Sequence, residues 1–317
     1  MGRIRDQVSR RLARGERIAL ATVVATRRSA PRPVGSKLVV SEGGELYGSV
    51  SGGCVESDVA VQAAEVIAGG EPRLLTYGIS DDQAWGIGLP CGGEIDVFVR
   101  RVENELPREN GALITALEGP RAGQQWFAEV EGPSRVLELD GEKVFAEVND
   151  PPPRLVVVGA TDTAEELCRA AGALGWRTVV VDPRPGLVTR DRLPSPDELV
   201  VAWPDAELEL GPDSAVVVLT HEERLDVPAL TAALATDAFY VGAIGSRRTQ
   251  EKRRERLLEA GVSEDQLERL SGPAGLDLGA DTPAETAVSI LAEVLAVRAG
   301  RSGGRLLERS GPIHSAA

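Results

Sequence analysis

Four consecutive apolar residues, Leu155-Val156-Val157-Val158, run straight into Gly159-Ala160-Thr161-Asp162-Thr163-Ala164. A half-exposed strand alternates apolar and polar side chains, whereas an unbroken apolar run needs cover on both faces. Residues 163–174 read as the helix that follows. The pattern recurs downstream: 178–181, 198–202, 215–220 and 239–243 are strand-like, with helical or irregular segments between them. Continuous apolar strands alternating with helices predict a Rossmann-like, doubly wound parallel sheet. The last strong element opens at Thr282-Pro283-Ala284-Glu285. This is an N-cap, a proline at the first helical position and the glutamate of a capping box. Its apolar stripe is Ala287, Ile290 or Leu291, and Val294.

Upstream, Pro151-Pro152-Pro153 is a stiff spacer and a natural boundary. Before it, 101–153 carries three weak β runs (125–130, 135–139 and 144–148), with Asp140-Gly141 as a hairpin turn. The first hundred residues read as a compact α+β domain. Ile4, Val8 and Leu12 recur every four residues on an N-terminal amphipathic helix, and strands are expected at 18–25, 38–40, 46–50, 73–77 and 94–99. A second helix is expected to open at Ser51-Gly52-Gly53-Cys54, bury Val55, Val59, Ala63 and Val66, and stop at Gly69-Gly70. The expected organisation is α/β. An N-terminal α+β domain (1–100) leads through a β-rich connecting segment (101–153) to a C-terminal Rossmann-like domain (154–299), and 300–317 is a flexible tail.

Length and charge narrow the function classes. The 317 residues suffice for about two domains. A net charge of -14 and an aromatic share of 3% speak against nucleic acid as a partner, which would want a basic face or stacking platforms. No apolar run approaches the roughly 18 residues of a membrane span, and the charged first seventeen residues lack a signal sequence. Three cysteines make no disulfide framework, so a cytoplasmic setting and no membrane partner are expected.

Two cysteines are flanked on one side by a pair of glycines. Cys54 lies in Ser51-Gly52-Gly53-Cys54-Val55-Glu56, and Cys91 in Leu89-Pro90-Cys91-Gly92-Gly93-Glu94. Bare flanks let a ligand approach sulfur and backbone, and a helix N-terminus at Cys54 favours thiolate; the alternative is two small residues in tight turns. The only histidines are His221 and His314, so a zinc site lacks its remaining ligands. Cys168 reads as core packing. Gly245-Ser246-Arg247-Arg248 follows the strand at 239–243. Ser246 is a plausible N-cap, and two arginines in a first helical turn oppose the dipole unless an anion sits nearby. A solvated face with i,i+4 ion pairs is the other reading. His221 falls on the same rim as a candidate polar contact or proton shuttle. The Gly159 loop keeps only the first glycine of a dinucleotide fingerprint; Thr161 stands where a second is needed, and Asp162 adds a repelling charge. Asp182 could hold a ribose hydroxyl or open the Asp182-Pro183-Arg184 turn. The loop therefore argues against ordinary NAD(P) use.

Taken together, Gly48-Ser49-Val50-Ser51-Gly52-Gly53-Cys54-Val55-Glu56, Leu89-Pro90-Cys91-Gly92-Gly93, Val241-Gly242-Ala243-Ile244-Gly245-Ser246-Arg247-Arg248 and Gly272-Pro273-Ala274-Gly275-Leu276-Asp277-Leu278-Gly279-Ala280-Asp281-Thr282-Pro283 resemble the xanthine dehydrogenase accessory protein (XdhC/CoxI) family in its domain order. The resemblance implies an accessory factor rather than a catalyst. Such a factor binds molybdenum cofactor (molybdopterin) as cargo, protects it during sulfuration by a cysteine desulfurase, and delivers it to an apo molybdenum hydroxylase. It implies cofactor-binding roles for Gly52, Gly53, Cys54, Glu56, Cys91, Gly92, Gly93, His221, Gly245, Ser246, Arg247 and Arg248, with Cys54 and Cys91 facing the molybdenum. A homodimer is expected. The alternative is an NAD(P)-dependent oxidoreductase using the C-terminal sheet.

Overall fold

Spaced four residues apart, Ile4, Val8 and Leu12 give α1 (Gly2–Ala13) its one apolar side, and Val8 is fully buried. The computed structural model describes residues 2–28, 30–78, 93–104, 106, 111–149, 151–204, 208–308 and 310. They fall into two units: Met1–Asp150 with Arg309–Ala317, and Pro151–Glu308.

In the first unit α1 is followed by β1 (Ile18–Arg27), β2 (Lys37–Ser41), β3 (Leu46–Gly48), α2 (Glu56–Ile67), β4 (Arg73–Tyr77) and β5 (Glu94–Val102). The strands form an antiparallel sheet in the order β3-β2-β1-β5-β4. α2 covers one face, with Val59, Ala63 and Val66 packed on Ala21, Val23 and Val97. On the other face Ile18, Leu20 and Val39 meet α1. A second antiparallel sheet comprises β6 (Gly111–Ala116), β7 (Gln125–Ala128), β8 (Arg135–Leu139) and β9 (Glu142–Asn149), in the order β7-β6-β9-β8. Val24, Phe98, Leu117 and Phe145 join the two sheets.

Two expectations need correction here. The run Ala112-Leu113-Ile114-Thr115-Ala116, not expected as a strand, is the buried inner strand β6. The second helix starts at Glu56, not within Ser51–Cys54, because Gly52 (φ +77) and Gly53 (φ +112) adopt left-handed backbone that no α-helix contains.

The second unit contains β10 (Arg154–Val158), α3 (Asp162–Ala173), β11 (Arg177–Val181), β12 (Glu198–Val200), β13 (Ser214–Val218), α4 (Glu223–Leu234), β14 (Tyr240–Ala243), α5 (Arg247–Glu259), α6 (Glu264–Leu267), β15 (Leu270–Ser271) and α7 (Pro283–Arg298). All six strands are parallel, in the order β12-β11-β10-β13-β14-β15. The Rossmann-like, doubly wound sheet is thus present, with β15 added at the edge. Val156, Val158, Val216 and Val218 pack on one layer, and Leu155, Val157, Ala215 and Val217 on the other, which is why these strands read as continuous apolar runs. α7 begins as its sequence predicts: Thr282 accepts from the Glu285 N–H while the Glu285 carboxylate accepts from the Thr282 N–H. Strand order reverses between β10 and β13, and in open sheets of this kind ligands bind outside the carboxyl ends at such a switch point. Of the tail, 309 and 311–317 lie outside the described residues. Among the described residues no helix is long and apolar enough to cross a membrane.

Candidate functional site

At the carboxyl edge of the parallel sheet, β13 leads into Leu219-Thr220-His221 and β14 into Ile244-Gly245-Ser246. The pairing of Val218 with Ala243, and a hydrogen bond from the Ile244 N–H to the Val218 carbonyl, set the two loops side by side. Ser246 caps α5, its Oγ accepting from the Thr249 N–H at 3.2 Å. Arg247 and Arg248 occupy the first turn and are exposed. The other guanidinium groups of α5 are matched: Arg253 pairs with Asp226, Arg254 with Glu264, and Arg256 with Glu223 and Glu259. Among the described residues neither Arg247 nor Arg248 has an ion-pair partner. Two unmatched guanidinium groups therefore stand where the helix dipole is positive, an arrangement that an anion would relieve. Arg247 also borders an open groove of about 370 Å³ that runs along Gln250 and Arg254 to Gly272 and Pro273.

Arg253, on the same helix, is buried and is not part of a solvated face. Its Nη2 donates to Asp226 Oδ2 at 2.7 Å and its Nη1 to the Ile244 carbonyl at 3.0 Å; Asp226 Oδ1 in turn accepts from the Thr220 hydroxyl. This chain ties the His221 loop, α4 and the start of α5 into one rigid support. Its signal was the spacing of Arg253 to Leu257, one helical turn apart on the buried side. His221 itself is exposed beside the buried Thr220.

On the other side of the switch point, Gly159 has φ +108, and a Cβ there would lie 2.6 Å from Thr220 Cγ2. The glycine thus serves the close approach of two loops. Thr161 is the N-cap of α3, accepting from the Ala164 N–H. Asp182 is buried, and its carboxylate accepts from the Ala160 N–H, the Arg184 N–H and the Arg184 guanidinium. Burial works to raise the Asp182 pKa, but these bonds win and hold it below the usual range.

In the first unit, Cys54 is an exposed free thiol on the turn before α2. Glu56 folds back onto that turn. Its Oε1 accepts from Ser49 Oγ (2.6 Å) and the N–H groups of Val50 (3.1 Å) and Ser51 (2.9 Å). Its Oε2 accepts from Ser51 Oγ (2.5 Å) and the N–H groups of Gly53 (2.8 Å) and Val55 (3.2 Å). Burial pushes this carboxyl up, yet the serine and backbone donors prevail and bring its pKa down to about 2. The Gly52 and Cys54 N–H groups go to Ser49 Oγ and Ser51 Oγ. The turn is therefore saturated from within and presents the Cys54 side chain outward. Tyr77 donates to Asp58 at 2.7 Å, and Tyr77 pairs with Ile95, so the start of β5 beside Gly93 lies at the same end of the sheet as the first turn of α2. Cys91 and Gly92 lie outside the described residues. Among the described residues no group of three or more His, Cys, Asp or Glu side chains is arranged to hold a metal ion. Cys168 is buried, and burial pushes its thiol up to about 12.

Comparison with known proteins adds four findings. Residues 155–294 match the XdhC Rossmann domain, and residues 11–78 match the XdhC and CoxI family. The molybdenum cofactor insertion chaperone PaoD of Escherichia coli K12 is 31% identical over 296 residues, 90% of this chain and 85% of that protein. A protein of Bacillus subtilis 168 named as a probable xanthine dehydrogenase subunit is 28% identical over 331 residues, 94% and 98% of the two chains. A crystal structure described as a xanthine dehydrogenase from Bacillus halodurans shares the fold, with a TM-score of 0.71 at 24% identity over 96% of this chain and 97% of that one.

Proposed function

The chain belongs to the XdhC and CoxI family, and from that premise we propose that it is an insertion chaperone for molybdenum cofactor, serving a hydroxylase of the xanthine dehydrogenase or carbon monoxide dehydrogenase type. The observation that carries this reading is the pair of unmatched arginines at the capped start of α5, on the sheet edge beside the switch point. Molybdopterin is a phosphorylated anion. Free N–H groups at a helix N-terminus together with guanidinium forks bind phosphate oxygens well. The Thr220–Asp226–Arg253 chain holds that turn in place, and His221 adds a polar contact on the neighbouring loop.

Cys54, exposed on a turn with no spare N–H donors, suits the soft molybdenum–dithiolene end of the cargo better than its phosphate. Cys91, with Gly92 and Gly93, is proposed as its companion. A cysteine desulfurase and an apo hydroxylase are the proposed partners, with a homodimer as the working assembly. The oxidoreductase alternative has less support, because Asp182 already spends its carboxylate on Ala160 and Arg184.

The test is retention of molybdenum cofactor by the purified protein, near one per chain, and activation of an apo hydroxylase by the loaded form. Arg247→Ala with Arg248→Ala is expected to weaken retention by about 1.5–3 kcal/mol per lost charge-assisted bond, roughly tenfold or more. Retention unchanged in the double variant removes the α5 turn from the model. Retention no better than that of an unrelated acidic protein sinks the chaperone reading altogether.

A further inference from the structure

Between the two sheets of the first unit lies a narrow cavity of about 20 Å³, enough for one water-sized occupant. Its floor is the face of the first sheet carrying Thr22, Lys37 and Arg100; its roof is Thr115, Gln125 and Glu147 of the second sheet, and Arg5 of α1 reaches in from the side. Pairing of Thr22 with Lys37 and of Leu20 with Arg100 puts both cations on this inner face.

The charges in the cavity do not balance. Three cations, Arg5, Lys37 and Arg100, line it against one carboxylate, Glu147. Glu147 is taken by Lys37 in a buried ion pair. Arg100 has only neutral acceptors, Gln125 Oε1 at 2.8 Å and the Arg101 carbonyl at 3.3 Å. Among the described residues Arg5 forms no ion pair, and its buried Nε has no hydrogen-bond partner. Holding two half-buried guanidinium groups around a single carboxylate that is already paired with Lys37 is costly, and a buried donor left unmade adds to that cost. The strain is visible in the neighbours. Burial brings the Arg100 pKa down to about 10. Burial also lowers Lys37, whose attraction to Glu147 is opposed by repulsion from Arg100 and Arg5.

We propose that this cavity is a binding site for one monovalent inorganic anion of chloride size, held between the Arg5 and Arg100 guanidinium groups. Two net positive charges, an orphaned N–H and room for a single small occupant select that class. Sulfate and phosphate are too large, and a water would leave the charge uncompensated. The proposal is independent of the chaperone reading, because it concerns the interior of the first unit and none of the groups assigned to the cargo.

The experiment uses the full chain at constant ionic strength with chloride exchanged for gluconate. Excess ³⁵Cl NMR linewidth and the thermal midpoint are followed together. Expected are a saturable broadening displaced by bromide and a midpoint that rises with chloride but not with sulfate. In Arg100→Gln the apparent chloride affinity should fall about tenfold or more. No saturable broadening, an equal response to sulfate, or an unchanged affinity in Arg100→Gln overturns the site. Should that variant fail to fold, crystals of the native chain soaked in bromide decide. An anomalous peak between Arg5 and Arg100 supports the proposal, and its absence from the cavity overturns it.

Discussion

A carboxylate that accepts six hydrogen bonds cannot keep them all when it takes a proton, because one oxygen becomes a donor and the charge that strengthens the rest is lost. Glu56 is such a group, and its folded pKa of about 2 lies below the ordinary value of 4.5. Its contribution is therefore complete above pH 4.5 and disappears as pH falls toward about 2. Glu56→Gln keeps one acceptor oxygen and leaves N–H groups of the turn without a partner. At pH 7 it should cost about 1–3 kcal/mol, and the gap to the native chain should narrow as pH drops from 5 to 2.5. Urea midpoints across that range measure it; a gap constant with pH would show that the carboxylate charge is not what organises the turn. The sequence draws the eye to Cys54 because its neighbours are bare, and to Arg247 and Arg248 because cations are unfavourable in a first turn. It points to Glu56 without showing that the carboxylate turns back onto its own turn, and it hides Arg253, since a buried charge looks like a surface one until its partners from distant segments are known.

Among the elements, α5 shows how the proposed site would be held from beneath by buried residues. The Arg253 and Asp226 side chains are 4% and 5% exposed. Removing one partner from such a pair leaves the other charge buried and bare, so Asp226→Ala should destabilise the chain by about 3–5 kcal/mol. Replacing both, Asp226→Ala with Arg253→Met, should recover part of that loss, because the stranded cation is gone. Denaturant midpoints of the two singles and the double measure the coupling. Additive losses would mean that the two charges act independently. The elements themselves were legible in proportion to their periodicity. The capping box at Thr282 and the four-residue stripe of α1 are local signals, and both helices begin where those signals lie. β6 was missed for the opposite reason. Buried along its length after Gly111, it has no alternation, and four apolar residues with one threonine beyond a charged stretch do not distinguish strand from helix.

At the scale of the whole chain, the second unit buries two apolar layers, one on each face of its parallel sheet. The parallel sheet of the second unit was readable because burial on both faces writes itself into unbroken valine runs. Its site was only partly readable, since strand order, and hence the switch point, is a property of pairing between distant segments. Gly159 lies at that point, pressed against Thr220. Gly159→Ala would add a methyl where 2.6 Å is available, at a φ of +108 that alanine rarely adopts. It should lower stability by about 1–3 kcal/mol. It should also weaken anion binding at Arg247 and Arg248, although no atom of residue 159 reaches them. Adding Thr220→Ser, which deletes the crowding Cγ2, should restore part of both; phosphate titration and thermal melts on the two variants measure it, and no rescue would separate the effects. The gap between the central loops thus works as a gauge. Thr220, Asp226 and Arg253 connect that gap to the cationic turn, so under the proposed function a single methyl group would retune the grip on a passenger from a position outside the site.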